Sequence, residues 1–274
     1  MAVTHTWQFA ERTRAGAGDG IAAILGLLAR PGLVSFAGGF PDPHTFPAAQ
    51  VAELARELDP TAYQYAPTQG LEGTRDVLAG RLDRRPADDE LLVTSGGIEA
   101  LELVAKSFLD RGDDVVVEAP TYLGAIMAFR SFEANVHAVP VDADGLDVDA
   151  LAALLGAGLR PKLLYTIPDH QNPAGVTLAA GRRSALVELA RRYGVLVVED
   201  VAYRELGFDG TAPPSLWSLA PDTVVQAGTT SKTFFPGVRL GWAAGPAEVV
   251  AQLVSAKQNT DQCSGALGQR LFEA

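Results

Sequence analysis

Lys162-Leu-Leu-Tyr-Thr166 leads into a helical pattern over 179–193, and that is followed by Val195-Leu-Val-Val-Glu199. Two short apolar runs, too brief for buried helices, enclose a segment whose apolar residues recur at helical spacing, which makes one strand–helix–strand unit. The same alternation extends outward from about residue 90. Further strand-type runs lie at Leu91–Thr94, Asp114–Glu118, Val136–Val139, Thr223–Gln226 and Leu240–Ala244, and helical patterns fill 98–110, 122–132, 147–156 and 247–258. Such alternation requires crossover connections. The expected fold is therefore α/β, a mainly parallel seven-stranded sheet sandwiched by helices. In folds of this type ligands gather at the carboxyl ends of strands and the amino ends of helices.

The 274 residues are 47% apolar and 20% charged, ample for a sizeable core in one large domain. With a net charge of −11, no broad phosphate-neutralising surface is available, so neither a nucleic acid nor a membrane is expected as a partner. Basic clusters at Arg81–Arg85 and at Arg182/Arg183 flank helical patterns and read as solvated helix faces. The lone Cys263 argues against a disulfide framework and a cysteine-based zinc site, and it fits a reducing, cytoplasmic compartment. Residues 21–29 are apolar but too short to span a bilayer, and they read as a docking helix on a soluble protein. Gly16, Gly18 and Gly20 follow no strand, which argues against a dinucleotide fingerprint. The run Asp142-Ala-Asp144-Gly145-Leu-Asp147 lacks the closing glutamate of a calcium loop, Ala153 standing in its place, and reads as a turn plus helix cap.

Five stretches carry chemistry. In Gly228-Thr-Thr-Ser-Lys232-Thr-Phe-Phe-Pro-Gly237-Val-Arg239-Leu-Gly241-Trp, a lysine follows a strand among small hydroxyl residues, and an arginine stands beyond a Pro-Gly turn. A surface lysine is one reading. The other is an ammonium tucked at a strand end, where its pKa falls enough for a nucleophile and proton carrier, with the hydroxyls and the planar fork of Arg239 holding a dianion. Val197-Val-Glu199-Asp200-Val-Ala-Tyr203 ends an apolar run on two carboxylates. One of these alone reads as a helix cap; facing a pyridine nitrogen, it would keep that nitrogen protonated. Tyr165-Thr-Ile-Pro168-Asp-His170-Gln171-Asn172-Pro173-Ala-Gly175 holds Asn172 just ahead of a proline, an ordinary turn when taken alone. Val93-Thr-Ser95-Gly96-Gly97-Ile98-Glu99 is a strand–glycine–helix junction whose free amides suit a phosphate. Glu118-Ala-Pro120-Thr-Tyr122 sets an aromatic ring at another strand end, for stacking on a flat ligand or for core packing.

In this order and spacing the five stretches resemble the class I/II aminotransferases of fold type I, which use pyridoxal 5′-phosphate (PLP). The branch most similar contains 2-aminoadipate and kynurenine aminotransferases. The likeness begins at Ser35-Phe-Ala-Gly-Gly39-Phe-Pro-Asp and continues through Tyr63-Gln-Tyr65-Ala-Pro-Thr-Gln-Gly70. It implies an enzyme that moves an amino group between an L-amino acid and a 2-oxo acid, with Lys232 forming a Schiff base to PLP and moving the proton. It implies Asp200 on the ring nitrogen, Asn172 and Tyr203 on the ring oxygen, and Tyr122 stacked on the ring. Gly97 and Ile98 amides, Thr229, Ser231 and Arg239 are implied at the phosphate, Tyr65 reaching it from the partner of a homodimer, and Gly39 and Asn172 beside the substrate. No metal is implied. Thr229 stands where serine is common, Gly97-Ile98 replace Ser-Gln, and Asp169-His170 replace Asn-Phe, the last bringing a polar ring near the site.

On this resemblance residues 1–38 form an N-terminal arm with its docking helix, and 39–274 form the PLP-binding large domain. The chain stops at Leu271-Phe-Glu-Ala274 inside a helical pattern. Family members continue into a small domain that supplies an arginine for the substrate carboxylate, so a truncated enzyme with an incomplete small domain is expected. Two alternatives accompany transamination. One is a PLP-dependent lyase, oxidase or cyclising synthase on the same scaffold; the other is an aminotransferase-like ligand-sensing module, which would need a DNA-binding element ahead of it.

Overall fold

The computed structural model describes residues 7–14, 26, 32–34, 38–208, 210 and 212–274. The docking helix read at 21–29, Gly26 apart, and the glycine-rich stretch Gly16–Gly20 lie outside the described residues. After one helical turn at Glu11–Arg14, the helices are α1 (Ala48–Glu57), α2 (Glu72–Arg81), α3 (Gly97–Phe108), α4 (Leu123–Ser131), α5 (Val148–Gly156), α6 (Ala180–Tyr193), α7 (Leu216–Leu219), α8 (Ala247–Gln258) and α9 (Ala266–Glu273). The strands are β1 (Leu91–Thr94), β2 (Asp114–Ala119), β3 (Asn135–Asp142), β4 (Gly145–Leu146), β5 (Leu163–Thr166), β6 (Leu196–Asp200), β7 (Val224–Thr229) and β8 (Gly241–Ala244).

Among the described residues all strands join one eight-stranded sheet in the order β1-β8-β7-β6-β5-β2-β3-β4. The seven expected strands are present, and the eighth is β4, a two-residue edge strand antiparallel to the end of β3. Two residues are too few to display a period of two, so β4 left no pattern to read. The turn that makes it is the one expected from Asp142 to Asp147: Asp142 Oδ1 accepts from the Asp144 amide at 2.8 Å, and Asp147 caps α5 by accepting from the Asp149 and Ala150 amides, each at 3.0 Å.

β2, β3, β5, β6 and β7 pair in parallel, whereas β8 runs antiparallel to both β7 and β1. No α-helix intervenes between β7 and β8, so the chain returns directly and must reverse. Apolar side chains pack on both faces of the sheet. One cluster joins Val116, Leu164, Val197 and Val224 to α2, α5, α6 and α7 through Leu78, Leu151, Leu186 and Trp217. The other joins Val115, Tyr165, Val198 and Val225 to α3, α4 and α8 through Leu101, Phe129 and Leu253. The sheet is therefore the middle of three packed layers, with its strand ends leading into the loops that carry the site.

Candidate active site

Six strands run in the same direction and end on one edge, β3 at Asp142 and five that lead into the site: β1 at Thr94, β2 at Ala119, β5 at Thr166, β6 at Asp200 and β7 at Thr229. Antiparallel β8 starts at that edge, two residues after Arg239. The topology therefore brings together the loops carrying Ser95–Gly97, Tyr122, Asn172, Tyr203, Lys232 and Arg239 from positions far apart in the chain.

Lys232 is half-buried and donates from Nζ to the Gly39 carbonyl at 2.8 Å. Burial pushes its ammonium below the ordinary lysine pKa, while the nearby Asp200 carboxylate pulls the other way. Gly39 has φ +56, a conformation that favours glycine, and a Cβ built there would stand 3.8 Å from Lys232 Nζ. The segment around Gly39 is tied to the lysine loop by the Phe46 and Phe235 rings, 6.2 Å apart, and Phe235 packs on Phe234 at 4.2 Å.

Asp200 ends β6 and accepts from the Tyr165 hydroxyl at 2.8 Å and the Ala202 amide at 3.1 Å. Burial raises its pKa, and those two donors together with Lys232 oppose the rise. Its neighbour Glu199 points to the other side of the strand, where it accepts from the Leu216 and Trp217 amides at 2.7 and 3.0 Å. The two carboxylates therefore differ in role: Glu199 caps α7, whereas Asp200 lies on the side of Lys232. Tyr122 and Tyr203 are half-buried beside Asp200, whose charge helps burial to raise both phenol pKa values. The Arg239 charge opposes that rise at Tyr122. Asn172 Nδ2 donates to the Tyr203 hydroxyl at 3.2 Å, leaving the phenol proton for another acceptor.

Arg239 is exposed in the left-handed region at φ 54, with Nη2 donating to the Ser95 carbonyl at 3.1 Å and Nη1 to the Pro236 carbonyl at 3.3 Å. Its guanidinium lies over Gly96, where a Cβ would come within 2.5 Å of Nη2. The Gly97 and Ile98 amides open α3 and have no partner inside the helix. Thr229 Oγ1 lies 2.9 Å from Ser231 Oγ and 3.3 Å from the Leu240 carbonyl; when its one proton goes to the nearer Ser231, the Ser231 proton can turn outward. Two amides, a guanidinium and a hydroxyl make a cradle for a dianion. Among the described residues no group of three or more His, Cys, Asp or Glu side chains could hold a metal ion.

The site thus offers a softened lysine, a buried carboxylate, two phenols, an amide and an anion cradle on one sheet edge. The family model for aminotransferase class I and II matches residues 32–271. The chain belongs to that family. This aminotransferase chain is 42% identical over 259 residues to the 2-aminoadipate transaminase of Thermus thermophilus, covering 92% of itself and 64% of that protein. It is 37% identical over 275 residues to aromatic-amino-acid aminotransferase 1 of Thermococcus litoralis, covering 95% of itself and 66% of that protein. Its fold superposes with a TM-score of 0.89 on the crystal structure of LysN, the α-aminoadipate aminotransferase of Thermus thermophilus complexed with N-(5′-phosphopyridoxyl)-L-leucine, at 38% identity and covering 97% of this chain and 68% of that one. The aminotransferase chain therefore spans somewhat under two thirds of the length of these two curated relatives, 64% and 66%.

Not every residue singled out in the sequence reaches the cleft of this chain. Tyr65 is 77% exposed, and among the described residues no hydrogen bond ties its side chain to Lys232 or Arg239. The Ile98 side chain is 38% exposed on α3, so only its amide belongs to the cradle. His170 is exposed at φ 51, its amide donating to the Thr177 hydroxyl at 3.2 Å. Arg183, read as part of a solvated face, is fully buried; it pairs with Asp169 at 2.5 Å and donates to the carbonyls of Leu178 and Pro168. Asp169 also binds Arg204 at 2.8 Å, so it clamps the Asn172 loop to the Tyr203 loop rather than entering the cleft.

Glu118 was missed. It is 2% exposed and accepts from the Thr166 hydroxyl at 2.5 Å, the Ile167 amide at 3.1 Å and Gln171 Nε2 at 2.9 Å, while Gln171 Nε2 also reaches the Pro120 carbonyl at 2.7 Å. One carboxyl thereby joins the Tyr122 loop to the Asn172 loop. The available signal was a glutamate closing the apolar run Val115–Val117, a position that burial penalises without partners.

Proposed function

We propose that this chain carries the PLP site of an aminotransferase that moves an amino group between an L-amino acid and a 2-oxo acid, working in the cytoplasm as a homodimer. The observation that carries the reading is Lys232, an amine of lowered pKa set near the buried Asp200 in a cleft that also holds a dianion cradle. The residues present fit PLP group by group. Arg239, Ser231, Thr229 and the Gly97 and Ile98 amides suit its phosphate. Asp200 suits a ring N–H, and the unspent proton of Tyr203 with the amide of Asn172 suits a ring oxygen. Tyr122 offers a ring face beside Asp200.

When bound, PLP supplies an aldehyde for an amine and an electron-withdrawing ring that makes the Cα proton of an attached amino acid acidic. The chain's own residues do the rest. Asp200, held in place by Tyr165, supplies a negative charge that favours a protonated ring nitrogen. Desolvation keeps the Lys232 amine easier to deprotonate than a surface lysine, so Nζ can accept the Cα proton and release it again. Gly39 lies against Nζ and leaves room for the amino acid beside it, with Asn172 on the substrate side. Tyr65, exposed on its own subunit, is proposed to reach the phosphate of the partner. Among the described residues no helix is long and apolar enough to cross a membrane.

Borohydride treatment of the chain with PLP should fix the cofactor at Lys232, and Lys232→Ala should abolish both the fixation and nearly all turnover. Fixation that persists in Lys232→Ala would refute the assignment. Amino donors should convert bound PLP to pyridoxamine phosphate; release of an altered carbon skeleton instead would favour a lyase or synthase.

A further inference from the structure

The turn that begins the anion cradle is held from behind by a cluster of charge in which Lys257 and Glu99 are buried and Asp261 is partly exposed. Ser95 engages every polar group it has. Its amide donates to Glu99 Oε2 at 2.5 Å, and its hydroxyl donates to Asp261 Oδ2 at 2.8 Å with Ser264 Oγ at 3.2 Å. Its carbonyl accepts from Arg239 Nη2 at 3.1 Å. Behind these carboxylates stands Lys257, whose side chain is 0% exposed. Its Nζ contacts both oxygens of Glu99, at 2.9 and 2.7 Å, and both oxygens of Asp261, each at 2.8 Å. Lys257 lies in the last turn of α8 and Asp261 four residues on, in the turn that follows it, while Glu99 lies in the first turn of α3.

Two carboxylates this close to the cradle would oppose an anion there. The ammonium between them counters their field, and removing one partner of such a buried set leaves charge uncompensated. Both carboxylates held by the ammonium also accept from Ser95, one from its amide and the other from its hydroxyl, so the ammonium helps to place Ser95. Ser95 in turn anchors one arm of the Arg239 fork, its carbonyl holding Nη2 while the Pro236 carbonyl holds Nη1.

We propose that Lys257 is a positioning residue for the phosphate cradle: through Glu99 and Asp261 it fixes Ser95, and through the Ser95 carbonyl it fixes the Arg239 guanidinium over Gly96. The inference rests on the reading that this cradle takes the phosphate of PLP. It adds that the cradle is formed before any anion arrives, and that its shape is set by a charge on a different helix.

The test is a comparison of ligands on the 274-residue chain: PLP, inorganic phosphate, and pyridoxal, which has the same ring and aldehyde but no phosphate. Lys257→Met and Ser95→Ala should weaken PLP and inorganic phosphate about tenfold while leaving pyridoxal within about twofold. Ser95→Thr, which keeps the hydroxyl, should retain the wild-type PLP affinity. If Lys257→Met does not fold, the half-buried and uncharged Ser95→Ala carries the test. A loss shared equally by pyridoxal would show a general structural defect and overturn the proposal, as would unchanged PLP affinity. Failure of the wild-type chain to take up PLP would overturn the parent reading and this one with it; wild-type uptake with unaltered variants would overturn this one alone.

Discussion

Replacing Glu118 by glutamine should make the chain more stable above neutral pH and nearly unchanged in acid. Glu118 is 2% exposed, and burial raises its carboxyl from 4.5 to about 7 despite the opposing hydrogen bonds from Thr166, Gln171 and Ile167; the nearby Asp200 adds to the rise. The sign follows from proton counts. Below 4.5 the folded and unfolded chains both hold the proton, and between 4.5 and about 7 only the folded chain does. The stabilising contribution is therefore full below the unfolded pKa and is lost as pH rises through the folded one. Over the span from 4.5 to about 7, at about 1.4 kcal/mol per pH unit, the loss amounts to about 3 kcal/mol. Glutamine never ionises. Its carbonyl can accept from the Ile167 amide and Gln171 Nε2, and its amide can donate to the Thr166 hydroxyl, which turns to receive it. Equilibrium unfolding in urea should show the variant gaining about 2.5 kcal/mol on the wild type between about pH 5 and pH 8.5. Parallel pH profiles would show that Glu118 is already ionised in the folded chain and would sink the reasoning.

Gly241→Ala should disturb the cradle from the opposite side. A Cβ there meets the Gly96 carbonyl carbon at 2.6 Å, the Gly228 oxygen at 2.7 Å and the Gly97 nitrogen at 2.8 Å, all backbone. Thermal unfolding should register a loss of about 1–3 kcal/mol, and weaker inorganic phosphate binding should accompany it. The same change at Gly80, inside α2 with nothing within 4 Å, should instead stabilise by about 0.5 kcal/mol, so equal effects at the two positions would contradict the packing argument. Asp200→Asn should still bind PLP but exchange the Cα proton of an amino donor more slowly, on the order of a hundredfold or more, as measured by deuterium exchange. Near wild-type exchange would remove the electrostatic role of Asp200. Mixing Tyr65→Phe with Lys232→Ala should yield heterodimers with one unimpaired site and more activity than either variant alone, and stable PLP binding by a strict monomer would refute the shared site.

The strand–helix alternation from Leu91 onward determined the layer architecture, because the two backbone periodicities are local and each sequence run displays its own. The expectation that chemistry lies at strand ends followed from that, and Lys232, Asp200, Tyr122, Asn172, Tyr203 and Arg239 do stand on one edge. What the sequence could not decide is which way neighbouring side chains face and what they meet across the chain. Glu199 and Asp200 are adjacent carboxylates of similar chemistry; strand alternation sends them to opposite faces, and only the packing of α7 shows which one is the cap. Arg183 looks like any surface arginine until Asp169, a loop residue before α6, is folded against it. Glu118 and Gln171 are 53 positions apart, and Glu99 and Lys257 are 158 apart. Partners at such separations leave no periodic trace, because a burial penalty is met by whatever the tertiary fold brings near, and the sheet order that brings it is settled by the whole core at once.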